Sequence, residues 1–111
     1  MPAWDTFVEF SETKTVEATV GEVKGGKLIY IALEATARTP QYETLIVEFE
    51  KRGKIVWDGT LAAGITVGPR PYRMEKMNVG PEVLSSGDII RVRMAKGTPI
   101  TGWLYLLVEG K

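Results

Sequence analysis

The sequence predicts an all-β fold: one antiparallel β-sandwich, jelly-roll or immunoglobulin-like, of seven or eight short strands, with a compact barrel as the alternative. Three observations carry that expectation. Apolar and polar residues alternate at period two through most of the chain. Gly and Pro turns recur at short intervals, and no stretch shows the period of a useful amphipathic helix. The 111 residues suit a single domain spanning 1–111, and 44% apolar residues are enough to fill its core.

Residues 4–10 read as a first strand, with Trp4, Thr6, Val8 and Phe10 on one side and Asp5, Phe7 and Glu9 on the other. Its aromatic residues Trp4, Phe7 and Phe10 are expected to cover a sheet end. Residues 14–23 and 27–37 then read as a hairpin through a two-residue Gly25-Gly26 turn. That register sets Val16 against Ala35, Gly21 against Tyr30 and Glu17 against Glu34. Residues 38–42, with Pro40, connect to the strongest hairpin signal, ETLIVEFEKRGKIVWDGTLA over 43–62.

There Leu45, Val47 and Phe49 alternate with Ile46, Glu48 and Glu50, and Lys51-Arg52-Gly53 fits a three-residue loop closed by a left-handed glycine. The loop implies Glu50 opposite Lys54, Phe49 opposite Ile55, Val47 opposite Trp57 and Leu45 opposite Gly59. Asp58-Gly59 suggests a bulge in the returning strand. Gly68-Pro69-Arg70-Pro71 is a stiff loop, since proline cannot donate to a ladder. Residues 72–79 form a weaker strand. Residues 89–95 point Ile90, Val92 and Met94 inward and Arg91 and Arg93 outward. Residues 100–109 place Trp103, Tyr105 and Leu107 on one face and Leu104, Leu106 and Val108 on the other.

Composition excludes much chemistry. Without cysteine or histidine there is no disulfide, thiolate or imidazole base, and most zinc sites are ruled out. No phosphate-binding loop, dinucleotide fingerprint or metal-ligand spacing occurs, so no cofactor, metal or catalytic residue is assigned. Carboxylates are the one proton-transfer group on offer. The Glu17–Glu34 pair would be their only close pairing, and a carboxylate-based hydrolase is the third of the functional readings. Fourteen basic and fourteen acidic residues cancel, which argues against an independent nucleic-acid binder. A single Asn (Asn78) and a single Gln (Gln41) amid abundant charge suggest a thermophilic source. The start, Met-Pro-Ala-Trp-Asp, lacks a signal-peptide pattern and no apolar run reaches membrane-span length, so the expectation is a cytoplasmic or virion-associated protein.

Two strands are apolar on both sides, residues 28–33 and 103–108, where a solvated sandwich strand should alternate. With no helix to cover a second face, Leu28, Tyr30, Trp103, Tyr105 and Leu107 become candidate interface residues, and a homo-oligomer or a larger protein assembly becomes the expected partner state. Arg70, Arg73, Arg91 and Arg93 are candidates for a polar rim or ligand contact. Tyr42 and Tyr72, beside proline loops, are the expected exposed aromatic pair of a carbohydrate-binding or adhesion module, the alternative function.

With KIVWDGTL returning from a hairpin and LSSGDIIRVRM preceding a terminal apolar strand, the chain resembles small virion accessory proteins of the capsid-decoration kind. The resemblance implies a β-sandwich and a non-enzymatic structural role, and it assigns no functional residue.

Overall fold

The computed structural model describes residues 2–110, so the two ends of the expected domain lie outside the described residues. Its elements are β1 (Ala3–Thr13), β2 (Thr15–Thr19), β3 (Lys27–Thr36), β4 (Gln41–Lys51), β5 (Lys54–Val67), β6 (Tyr72–Met77), β7 (Ile89–Met94) and β8 (Ile100–Glu109). They form two four-stranded antiparallel sheets, β1-β8-β3-β6 and β2-β7-β4-β5. No helix occurs among the described residues.

The pairs β4·β5, β3·β6, β2·β7 and β1·β8 nest one inside the next, as rungs of one long hairpin whose apex is β4–β5. Rolling that hairpin so that β3 meets β8 and β4 meets β7 closes both sheets. This is the jelly-roll order among the sandwich types expected. Side chains from both inner faces meet in one core, with Ile31, Leu33, Leu45, Phe49, Ile90, Leu104 and Leu106 fully buried.

The apex hairpin departs from its expected register. Arg52 and Gly53 both take left-handed φ values, 53° and 79°, so the loop is a two-residue primed turn between paired Lys51 and Lys54. A bulge at Val56 restores the faces, and Phe49 opposes Trp57 instead of Ile55, with ring centroids 5.0 Å apart. Val47 therefore faces Gly59, and Leu45 faces Ala62. Asp58 and Gly59, expected at a bulge, pair regularly with Glu48 and Val47. Gly59 serves another purpose: a Cβ there would stand 2.7 Å from the Trp57 indole that lies over it.

The expected β2–β3 hairpin does not form. β2 joins β7 in one sheet and β3 joins β6 and β8 in the other, so Glu17 faces Arg91 and Glu34 faces Arg73 and Trp103. The like-charge Glu17–Glu34 pair is absent, and with it the hydrolase geometry. Gly25 is left-handed (φ 58°), and Gly26 exchanges two 2.7 Å backbone hydrogen bonds with Leu84 as the chain crosses between sheets. A two-stranded ribbon would leave Val16, Val20, Leu28 and Ile31 without an opposing layer. Separate sheets bury all four. Gly21 is covered by Trp4, not by Tyr30.

Asp88 ties the apex to the loop before β7. Its carboxylate accepts the Ser85 N–H at 2.8 Å and an ion pair from Lys51. Replacing Asp88 with Ala should cost about 1–2 kcal/mol, because a half-buried donor loses its acceptor. Urea melts of the two proteins check this, and an unchanged midpoint would show the tether to be idle.

Candidate binding face

The outer faces of the two sheets differ in chemistry. On β2-β7-β4-β5, most outward charges are held in ion pairs: Arg91 donates to Glu17 and Glu50, both at 2.9 Å, and Arg93 donates to Glu48 at 3.1 Å, while Asp58 lies opposite Glu48. The Glu50 hydrogen bond, helped by Glu17, holds the Arg91 guanidinium above its ordinary pKa in spite of burial. Arg91 and Arg93 are thus spent within the protein, and they lie on the opposite sheet from Arg73.

On β1-β8-β3-β6, the strand parity that sends Leu104, Leu106, Val108, Ile31 and Leu33 into the core sends an aromatic set outward. Phe7 of β1 stacks on Trp103 of β8 at 5.6 Å and 26°. Tyr30 of β3 and Tyr105 of β8 are 6.0 Å apart, and their neighbours across the ladders are Leu107 and Ala32. Arg73 of β6 reaches past Glu34 to stand 5.7 Å from the Trp103 ring centre, while its guanidinium pairs with the Glu34 carboxylate. Met77 continues the apolar surface at the β6 edge, 62% exposed, as Phe7 does at the β1 edge, 58% exposed. Small Ala32 leaves a shallow hollow walled by Tyr30, Trp103, Arg73 and Glu75.

Acids fix the rings. The Tyr105 hydroxyl donates to Asp5 at 2.9 Å and the Tyr30 hydroxyl donates to Glu75. These hydrogen bonds to carboxylates raise both phenol pKa values, with desolvation adding to them. The Glu9 carboxylate, opposite Trp103, makes no hydrogen bond or ion pair among the described residues. Around the rings the face therefore holds four carboxylates, Asp5, Glu9, Glu34 and Glu75, against the guanidinium of Arg73, while at its end Lys27 lies opposite Glu109 and the two charges cancel. It is an apolar surface with a net negative field.

Four of the five candidate interface residues, Tyr30, Trp103, Tyr105 and Leu107, come together here. Leu28 does not: a bulge at Ile29 breaks the parity of β3 and turns Leu28 into the core, 1% exposed. Tyr42 and Tyr72 are not an exposed pair. Tyr42 is 65% exposed, with the Lys96 ammonium 5.8 Å from its ring centre, whereas Tyr72 packs against the core and burial raises its pKa. Arg70 is exposed in the proline loop. Phe7, expected to cover a sheet end, lies on the open face instead, because β1 pairs along β8 and brings it beside Trp103 and Tyr105. Its outward parity was readable in the sequence. The pairing of the first strand with the last was not.

One buried acid stands apart from this face. Glu43, 1% exposed, accepts hydrogen bonds from the backbone N–H groups of Thr44, Lys96 and Thr98 and from the Thr98 hydroxyl, at 2.7–3.2 Å. Burial pushes its pKa up, but the donors outweigh burial and carry it below its ordinary 4.5. It is an anion held by a cradle of donors, and it clamps the β7–β8 turn to β4.

No family model matches the chain, and no curated protein matches it. Among solved structures it is similar to dimeric latent PorU from Porphyromonas gingivalis, with 10% identity and a TM-score of 0.46. That match covers 100% of this chain, which spans 13% of the length of the PorU chain. It is also similar to a protein of the Bacillus endospore appendages, described as forming a novel family of disulfide-linked pili, with 10% identity and a TM-score of 0.39 over 96% of this chain and 84% of that one.

Proposed function

We propose that the protein is a non-enzymatic structural component that self-associates, or docks on a larger assembly such as a viral particle, through the outer face of the β1-β8-β3-β6 sheet. The observation that carries this reading is the uncovered aromatic surface of Phe7, Tyr30, Trp103 and Tyr105, set against a charge-paired surface on the other sheet. Aromatic and arginine side chains on a fixed backbone are the usual anchors of protein interfaces, and here their orientations are set in advance by Asp5, Glu75 and Glu34. Jelly rolls serve in viral capsids, an analogy at the level of fold that agrees with the particle-component resemblance.

Light scattering across micromolar concentrations tests it. The native protein should show concentration-dependent association, and Phe7→Asp should remain monomeric with its melting temperature within a few degrees of the native value. A native protein that stays monomeric throughout would end the self-association reading.

Saccharide binding is the second reading. It draws on the Phe7–Trp103 stack beside the hollow over Ala32, where sugar rings could lie on the aromatic planes and hydroxyls could reach Glu75 and Arg73. Jelly rolls also serve as lectins. A glycan array should then return neutral polysaccharides whose binding disappears in Trp103→Ala, and an array without hits removes this reading.

A further inference from the structure

Resting on the self-association reading, we propose that copies join head to tail, with the β4–β5 apex of one copy seated on the aromatic face of the next. Two observations lead there. The first concerns what the face repels. Two copies meeting face to face would bring together the eight carboxylates around their rings with two guanidinium groups, the Lys27 and Glu109 charges of each copy cancelling, and like charges desolvated across an interface cost several-fold more than they do in water. The face calls for a partner that is apolar and cationic.

The second concerns where this chain carries such a surface. The formal charge of the whole chain is zero, so a negative face leaves the remainder of the molecule net positive. The apex gathers Lys51, Arg52 and Lys54 within one turn. Lys51 is engaged by Asp88, which anchors the turn to the body, while Arg52 and Lys54 are exposed. Ile55 and Val56 follow directly, 52% and 39% exposed, Val56 because the bulge pushes it out of the ladder. Apart from Tyr42 beside Lys96 and Val83 beside Gly25, the large exposed hydrophobic residues are Phe7 and Met77 on the face and Ile55 and Val56 at the apex. Each surface therefore offers what the other lacks. Ile55 and Val56 would cover the Phe7–Trp103 stack, and Arg52 and Lys54 would meet Glu9, Asp5 and the tyrosine rings, gaining charge pairing and cation–π contact together.

Such a contact is heterologous. Each copy keeps a free apex and a free face, so growth continues into a ring or a filament instead of stopping at a two-fold dimer.

Paired charge reversals test it. Arg52→Glu with Lys54→Glu inverts the apex, and Glu9→Lys with Glu75→Lys inverts the face. Each variant alone should lose association by about tenfold or more, because its apex and face now carry like charges. An equimolar mixture should recover it, since each apex then meets a face of opposite sign. Association of the native protein should also fall as salt rises from about 0.05 to 0.5 M, where the screening length shrinks to a few ångströms. Undiminished association of the apex variant would overturn the head-to-tail mode and leave self-association through the face standing. A monomeric native protein would remove both. Should the double face variant lose its near-UV circular dichroism, Glu9→Lys alone, at an exposed position, replaces it: the face becomes less negative without changing sign, so association should weaken in that variant, and undiminished association would overturn the head-to-tail mode.

Discussion

Gly102→Ala should leave the protein unfolded, or destabilise it by about 3 kcal/mol or more, at the strong end of overpacking penalties. Gly102 lies in β8, between Phe10 of β1 and Ala35 of β3. A Cβ built there meets the carbonyl oxygen of Glu34, stands 2.8 Å from the carbonyl carbon and 3.1 Å from the Ala35 Cα. All three atoms are backbone of a central strand, held on its other edge by β6. No side chain can rotate away to make room, so β8 and β3 must part and their ladder must break. Gly53 provides the control. It needs a left-handed φ of 79° but has nothing within 4 Å of its would-be Cβ, so Gly53→Ala should cost only about 1–2 kcal/mol, the backbone penalty alone. Guanidinium melts of the two variants should rank them in that order, and equal midpoints would show that the sheet yields at Gly102.

Glu43→Ala should cost about 3 kcal/mol or more, since it strands several buried donors at once and each carries a penalty of about 1–3 kcal/mol. Glu43→Gln should recover part of that loss, because the amide keeps one acceptor oxygen but turns an NH2 group toward N–H groups. The effect also has a pH signature. The folded-state pKa of Glu43 lies below its ordinary 4.5, so the folded protein holds the anion more firmly than the unfolded chain does. Its contribution is fully present above about pH 4.5 and is lost as pH falls through the lower folded-state value. The stability gap between native protein and Glu43→Gln should therefore be constant from pH 7 to 5 and narrow below that. A gap that widens on acidification would mean that burial, not the donor cradle, governs this group.

The sequence made the two faces of most strands legible, because period-two alternation is a local signal. Ile90, Val92 and Met94 against Arg91 and Arg93, or Leu104, Leu106 and Val108 against Trp103, Tyr105 and Leu107, fall as the alternation says they should. Pairing was legible only at the apex, where a short loop joins neighbours, and even there two left-handed residues and a bulge moved the register. Elsewhere local turn chemistry misled. Gly25-Gly26 looks like a hairpin turn, but Gly26 stays glycine because a Cβ would lie 2.7 Å from a Val108 methyl and 3.1 Å from the Glu109 carbonyl oxygen. The binding face was half visible for the same reason. Tyr30, Trp103, Tyr105 and Leu107 announced themselves as apolar where polar residues belong, whereas Phe7 and the acids that fix the tyrosines depend on contacts 45 to 100 residues apart in the chain. The Glu43 cradle, built from donors on a turn about 50 residues away, left no trace in any local pattern.

The nesting of the strand pairs has a kinetic consequence. Only the β4–β5 rung closes a short loop, and each outer rung must close a longer one, up to β1 with β8 at the chain ends. Because loop-closure entropy must be overcome before such distant contacts give any return, folding should be slow, in the range of milliseconds to seconds typical of β-sandwiches. The apex should order first and the outermost rung last. Phi values near one half or above at Val47 and Phe49, falling toward zero at Val8 and Leu106, are the expected record of that zippering. The same order means that the aromatic face, three of whose four rings stand on β1 and β8, is assembled at the final step, so a chain caught midway through folding has its apex ready but no surface on which to dock it.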